Sequence, residues 1–166
     1  MSDQRSGPYI LGRAGARDHS SDSASGFKLR AVDTAGLLSF LEFSLEEWQS
    51  GPDLHVHSDS DESFYVLSGE MEFQVGEERH VVGPGEFVWV PRGTAHTFAN
   101  AGESPARALT VATPGGLERF FAEQAQYLAS CVGELDPSVL AEIRRRHGGA
   151  RLGPPIRSQH APREVE

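Results

Sequence analysis

The chain has 166 residues, and its 15 Lys and Arg stand against 24 Asp and Glu, a formal charge of −9. That length suits one domain with a self-sufficient core, and so acidic a surface repels phosphate backbones and anionic lipid, which argues against nucleic-acid and membrane-surface roles. A single cysteine, Cys131, leaves no partner for an intramolecular disulfide and no thiolate cluster, so metal or acid–base chemistry falls to His, Asp and Glu.

The opening stretch, MSDQRSGPYI, has no apolar h-region. The apolar runs that follow are strand-sized, short of the ~20 residues a membrane helix needs. A soluble cytoplasmic protein is expected, with residues 1–7 as a flexible tail and 15–26 as a loop. From Tyr9 to Pro114 short runs rich in Val, Leu and Phe are broken by glycine and polar turns, the pattern of strands. Strands are predicted at 27–32, 37–45, 64–67, 70–75, 80–82, 87–90, 96–100 and 106–112. Gly69, Gly76, the GPG at 83–85, the PRG at 91–93 and the AGES at 101–104 punctuate them. About eight short strands at close spacing indicate an all-β sandwich or barrel over residues 8–114. After TPGG at 113–116 the period changes. Leu117, Phe120, Phe121 and Leu128 recur at helical spacing, and a second helix is predicted from Asp136-Pro137, an acidic cap with proline in the first turn, to about residue 147. This helical extension, residues 115–155, is expected to pack on the outside of the barrel, with 156–166 as a second flexible tail.

The stretch LHVHSDSDESFYVLSG, residues 54–69, concentrates the chemistry. Residues i and i+2 of a strand share a face, so His55 and His57 project together while Val56 turns away. Glu62 follows after Ser58-Asp59-Ser60-Asp61, a natural turn that lets the next strand bring it back to the same interior. There Glu62, Phe64 and Val66 share a face, a carboxylate above an apolar floor. In GEFVWVPRGTAHTFAN, residues 85–100, Phe87 and Trp89 lie on one face and Val88 and Val90 on the other, so that strand reads as buried on both sides. His96 begins the next strand, with Phe98 and Asn100 on its inward face. Three imidazoles, His55, His57 and His96, and the Glu62 carboxylate would leave one or two open positions on a divalent transition metal: Fe, Mn, Ni, Co, Cu or Zn. Such a site is catalytic rather than closed.

These residues resemble the two motifs of the cupin superfamily. His55-x-His57, four residues, Glu62, six residues and Gly69 look like the first; Gly85, five residues, Pro91-x-Gly93, two residues, His96, three residues and Asn100 match the second at every fixed position. Fifteen residues, 70–84, separate them. The first motif usually has a glycine six positions before its first histidine, where this chain has Gln49; Gly51 can serve as the turn glycine. PYILG, VDTAG, TPGGLERFF and RRRHGGARLGPP look like bacterial single-domain cupins of the quercetin 2,3-dioxygenase-like group, which carries the resemblance over about residues 8–155. It implies a double-stranded antiparallel β-helix, or jelly-roll barrel, with C-terminal α-helices, a metal held by three His and one Glu, and often a homodimer.

Three functions remain open. The first is a dioxygenase acting on a small aromatic or enolic, flavonol-like compound, in which Glu62 is both a ligand and a candidate base for the substrate hydroxyl. The second is a non-redox cyclase, isomerase or lyase, as in polyketide-cyclase-like cupins. The third is a non-catalytic small-molecule-binding module. Fold and metal site recur across unrelated reactions, so resemblance alone does not choose among them. An ion of charge +2 with one carboxylate and three neutral imidazoles keeps a net +1, which favours an anionic substrate. Phe64, Phe73, Trp89 and Phe98 are candidates for the wall of a substrate pocket, although aromatics in a barrel serve as core equally often. His19, His80, His147 and His160 read as solvated, and Asn100 as fixing a turn. The SDSDE run lacks the mid-loop glycine and the glutamate at loop position twelve of a calcium loop.

Overall fold

The computed structural model describes residues 7–12, 15–16, 18–19 and 26–162. The expectations for residues 1–6, for the His19 side chain and for 163–166 lie outside them. In chain order the elements are β1 (Asp18–His19), β2 (Gly26–Leu29), a 3₁₀ turn (Ala31–Thr34), β3 (Ser39–Leu45), β4 (His55–His57), β5 (Asp61–Ser68), β6 (Met71–Val75), β7 (Glu78–Val82), β8 (Phe87–Val90), β9 (His96–Asn100), β10 (Ala106–Thr113), α1 (Leu117–Ser130), α2 (Pro137–Arg146) and β11 (Gly149–Arg151).

Two antiparallel sheets face each other. One has the order β1-β2-β3-β10-β5-β8, the other β11-β4-β9-β6-β7. Alternation along each strand explains the packing. Ser39, Leu41, Phe43 and Leu45 of β3 are buried while the residues between them are less so, and Ala106, Ala108, Thr110 and Ala112 of β10 repeat the pattern beside them. The alanines leave room for an aromatic cluster. Phe98 lies with its ring centroid 5.0 Å from Phe43 and 5.4 Å from both Phe64 and Phe73. With Leu45, Val66, Met71 and Val90 these rings form the core, and each fully buried side chain contributes about 1.5–3 kcal/mol. Gly69 ends β5 at φ +74, where a Cβ would lie 2.6 Å from Ala106 Cα, so only glycine fits this turn against β10.

Several expectations change. The first strand stops at Leu29, because Asp33 Oδ2 accepts the Arg30 N–H at 2.9 Å and winds the following residues into the 3₁₀ turn. Asp18–His19, within the expected loop, pairs with β2. Strand β8 is not buried on both sides. It is the sheet's edge, and Phe87 and Trp89 on its outward face are 61% and 50% exposed. The extension at 115–155 is not wholly helical and does not simply coat the barrel's outside. Strand β11 pairs with β4, and Leu117, Phe120 and Phe121 of α1 border the cavity at the barrel's open end. The described part of the C-terminal tail is anchored, with Ile156 and Ser158 buried. Glu72, on the outer face of β6, accepts hydrogen bonds from Ser158 Oγ at 2.9 Å and Gln159 N at 2.8 Å.

Candidate metal centre

Strand β4 is three residues long and carries two of the four candidate ligands. Neighbours on both sides hold it. Its His55 is paired with His96 of β9, while β11 aligns Gly149 with His57 and Arg151 with His55. The PRG turn adds a third tie, since Gly93 N donates to His57 O at 2.7 Å. Arg92 in the same turn grips Asp61, beside Glu62, with its Nε at 3.0 Å from Oδ1 and a terminal nitrogen at 2.8 Å from Oδ2. Upstream, Gly51 N donates to Phe98 O at 2.9 Å, and a Cβ at Gly51 would meet that oxygen at 2.5 Å. Gly51 thus allows the close approach to β9, and the Gln49 carbonyl accepts from Asn100 N at 2.9 Å. Asn100 is a turn-fixing residue: its Nδ2 donates to the carbonyls of Leu45, Glu46 and Ser104, and its Oδ1 accepts from Gly102 N.

One donor atom from each of His55, His57, Glu62 and His96 lies within 4.8 Å of the others. His55 Nδ1 is 2.7 Å from Asp53 O and His96 Nδ1 is 3.1 Å from Thr94 O. A carbonyl only accepts, so each Nδ1 carries its hydrogen and each Nε2 is the inward donor atom, the backbone orientation usual for metal-ligating histidines. His96 Nε2 lies 2.9 Å from Glu62 Oε2 and His57 Nε2 3.5 Å from the same oxygen. Both nitrogens of His96 therefore face acceptors. A neutral imidazole has one N–H and cannot serve both, so the geometry calls for a proton or a cation between ring and carboxylate.

The electrostatics agree. Burial pushes His55 down to about 4, and neighbouring His96 adds to the effect, so its imidazole is neutral at physiological pH. Burial also acts to lower His57, but the Glu62 carboxylate outweighs it and the net shift is upward. Burial works to raise Glu62, yet hydrogen bonds from His57 and His96 hold it well below the usual carboxylate range. An ionised carboxylate among three imidazoles, nearly sealed from water, is a donor set suited to a divalent transition ion.

A cavity of about 570 Å³ opens above these side chains. Phe64 and Phe98 border it. Phe73 and Trp89 do not: Phe73 is buried behind Phe64 in the core, and Trp89 points out from the edge strand. Leu41, Phe43, Thr110, Phe120 and Gln124 also border the cavity and were not among the expected residues. An inward Thr between alanines in ALTVAT, and the 117, 120, 121, 124 stripe of α1, were the signals available for two of them. The other histidines stay apart from the cluster. His80 is exposed beside Glu78, His160 is exposed, and His147 is half-buried against Glu123 at 2.7 Å. Among the described residues no helix is long and apolar enough to cross a membrane.

Known proteins resemble the chain in both sequence and fold. Residues 42–112, which hold both motifs, match the cupin domain family. Over 45 residues, 27% of the chain, it is 38% identical to a quercetin 2,3-dioxygenase of Bacillus subtilis (strain 168), a match that spans 13% of that relative's length. In fold it is similar to KdgF from Halomonas sp., with a TM-score of 0.58 and 15% identity over 68% of this chain and 99% of that one. It is also similar to a predicted oxalate decarboxylase from Thermotoga maritima, at a TM-score of 0.52 and 22% identity over 54% and 78%. At those identities the two structures speak for the fold alone.

Proposed function

We propose that this chain, which belongs to the cupin superfamily, is a metal-dependent dioxygenase acting on a small aromatic or enolic compound of the flavonol kind. The observation that supports it most is the convergence of His55, His57, Glu62 and His96 beneath an aromatic-walled cavity. We assign the four as metal ligands. A divalent transition ion bound there would supply Lewis acidity and, if redox-active, a route to dioxygen.

The chain's own residues supply the rest. Phe43, Phe64, Phe98 and Phe120 border the cavity, a lining that suits a flat aromatic body. Glu62 is ionised and is positioned to take the proton of a substrate hydroxyl onto its Oε, leaving an enolate or phenolate in the cavity. The local match to the quercetin 2,3-dioxygenase covers too little of that relative to carry its substrate across whole. It favours the oxygenase over the non-redox reading.

We also propose a second copy of the chain as partner, seated on the outer face of β5 and β8. Phe87, Trp89 and Tyr65 stand together there, paired across the strands as Tyr65 with Phe87 and Ser63 with Trp89. Aromatic clusters of this kind are what anchors protein interfaces. The compartment we assign is the cytoplasm, given one cysteine and no disulfide framework.

The test is oxygen consumption by metal-loaded protein offered a panel of flavonols and catechols. Uptake that depends on both substrate and metal supports the dioxygenase. Substrate conversion without uptake would transfer the site to non-redox chemistry, and tight binding without conversion under any metal would leave a binding module.

A further inference from the structure

The cavity wall contains a polar group that the metal chemistry leaves unused. Thr110 lies in the middle of β10 with its side chain inward, directly between Leu41 of β3 and Phe64 of β5. It is 3% exposed and borders the cavity, and among the described residues its Oγ1 has no hydrogen-bond partner. The other inward positions of that strand are alanines, Ala106, Ala108 and Ala112. The hydroxyl is not sealed from the cavity's water, so a ligand that displaces that water must either bond it or leave it desolvated and unpaired. The usual reason for such a group in a ligand cavity is that the ligand completes it.

The helical part of the lining also carries a polar group, half-exposed rather than buried. Helix α1 turns Leu117, Phe120, Phe121 and Gln124 along one stripe, all four bordering the same cavity. Gln124 is the polar member of that stripe, and its amide is bonded to no other described residue. Thr110 on the barrel wall and Gln124 on the helix are thus both available to a ligand in a cavity whose lining also includes Asp53, Asp59, Arg119, Arg144 and Arg146.

Register sets the scale. Ala112 pairs with Glu62 and Thr110 with Phe64, so Thr110 is the diagonal neighbour of the candidate ligand Glu62. In an antiparallel pair that diagonal spans roughly 7–8 Å. The two positions are close enough for one small molecule to meet both.

We infer that Thr110, with Gln124 of α1 lining the same cavity, is a hydrogen-bonding subsite selecting substrates that carry a second hydroxyl or carbonyl beyond the oxygen that meets the metal centre. The inference deepens the reading above and rests on it. The preferred class is the polyhydroxylated aromatic or enolic compound, and the singly hydroxylated analogue is disfavoured because it leaves Thr110 desolvated and unpaired.

The test is anaerobic fluorescence titration of the metal-loaded protein with quercetin and with unsubstituted flavonol, whose only hydroxyl is the enolic one. Wild type is expected to favour quercetin by about tenfold or more, the yield of one well-placed hydrogen bond. Thr110→Val, which keeps volume and removes the hydroxyl, is expected to bring the ratio close to one by weakening quercetin and tightening flavonol, which no longer strands a hydroxyl; Thr110→Ser is expected to retain the preference. Gln124→Leu reads the helical lining and serves if the valine variant does not fold. A wild type that binds both compounds equally, or a preference that survives both Thr110→Val and Gln124→Leu, overturns the subsite alone. Metal-loaded wild type that binds neither flavonol overturns the substrate reading, and the subsite with it.

Discussion

Glu62 Oε2 stands 2.9 Å from His96 Nε2, and this contact joins β5 of one sheet to β9 of the other at the mouth of the barrel. The same histidine presents Nδ1 to Thr94 O, so its ring is held at both ends in one orientation. Glu62→Gln keeps shape and removes the charge. It is expected to weaken binding of a divalent transition ion by more than about a hundredfold, beyond the loss typical of residues that only support a ligand. Competition against a chelating dye measures it, and an affinity within a few-fold of wild type would show that the carboxylate is not a ligand.

Asp53 serves the same site from outside. Its backbone carbonyl orients His55, while its Oδ2 accepts from Arg144 of α2 and Arg151 of β11, each at 3.0 Å. Asp53→Ala is expected to loosen the C-terminal elements and leave the barrel intact. Hydrogen exchange should quicken across residues 137–151 with little change in β5 or β6. Metal affinity should fall about tenfold, because β11 is one of the supports of β4. Unchanged exchange in that segment would mean the two ion pairs do not hold it.

Phe73 and Trp89 should separate cleanly. Phe73→Ala opens a hole in the aromatic core and is expected to cost about 3–5 kcal/mol in urea unfolding. Trp89→Glu removes an exposed ring, so monomer stability should barely move, while sedimentation should report loss of the proposed dimer. A monomeric wild type at micromolar concentration would remove that interface from the account.

The N-terminus of α2 gives a pH dependence. Asp136 caps it, its Oδ1 accepting from Ser138 Oγ at 2.7 Å and from Ser138 N at 2.8 Å, and these bonds hold its carboxyl below the ordinary value of 3.8. The folded pKa is the lower one, so the unfolded chain takes up the proton first as pH falls. The cap's contribution is complete above 3.8 and is lost as pH drops through the folded value. Wild type should therefore exceed Asp136→Ala in urea midpoint at pH 6, with the gap narrowing toward pH 3. A constant gap would assign the difference to something other than ionisation.

Much of this was legible from residue spacing, and the failures share a cause. His55 and His57 two apart on a strand, with Glu62 after a polar turn, project to one interior because strand geometry is local. The Asp136-Pro137 start of α2 is equally local, and the structure places the helix where that cap puts it. What spacing could not supply was which strand sits at an edge. Phe87 and Trp89 look like core in a run of FVWV, and only the sheet order leaves their face open. Phe73 was misassigned for the reverse reason, since its inward direction was readable but its depth behind Phe64 was not. Burial of Ser158 on Glu72, 86 residues away in the chain, and closure of the barrel's mouth by α1 are long-range events with no short-range mark.

The most direct test of the account is metal content. Untagged wild type and His96→Ala would be expressed in medium supplied with Fe, Mn, Ni, Co, Cu and Zn, reconstituted, desalted and analysed by elemental mass spectrometry. The account predicts close to one equivalent of a transition metal in wild type and almost none in a folded His96→Ala. Wild type that holds no metal after reconstitution, or a variant that holds as much as wild type, would contradict it.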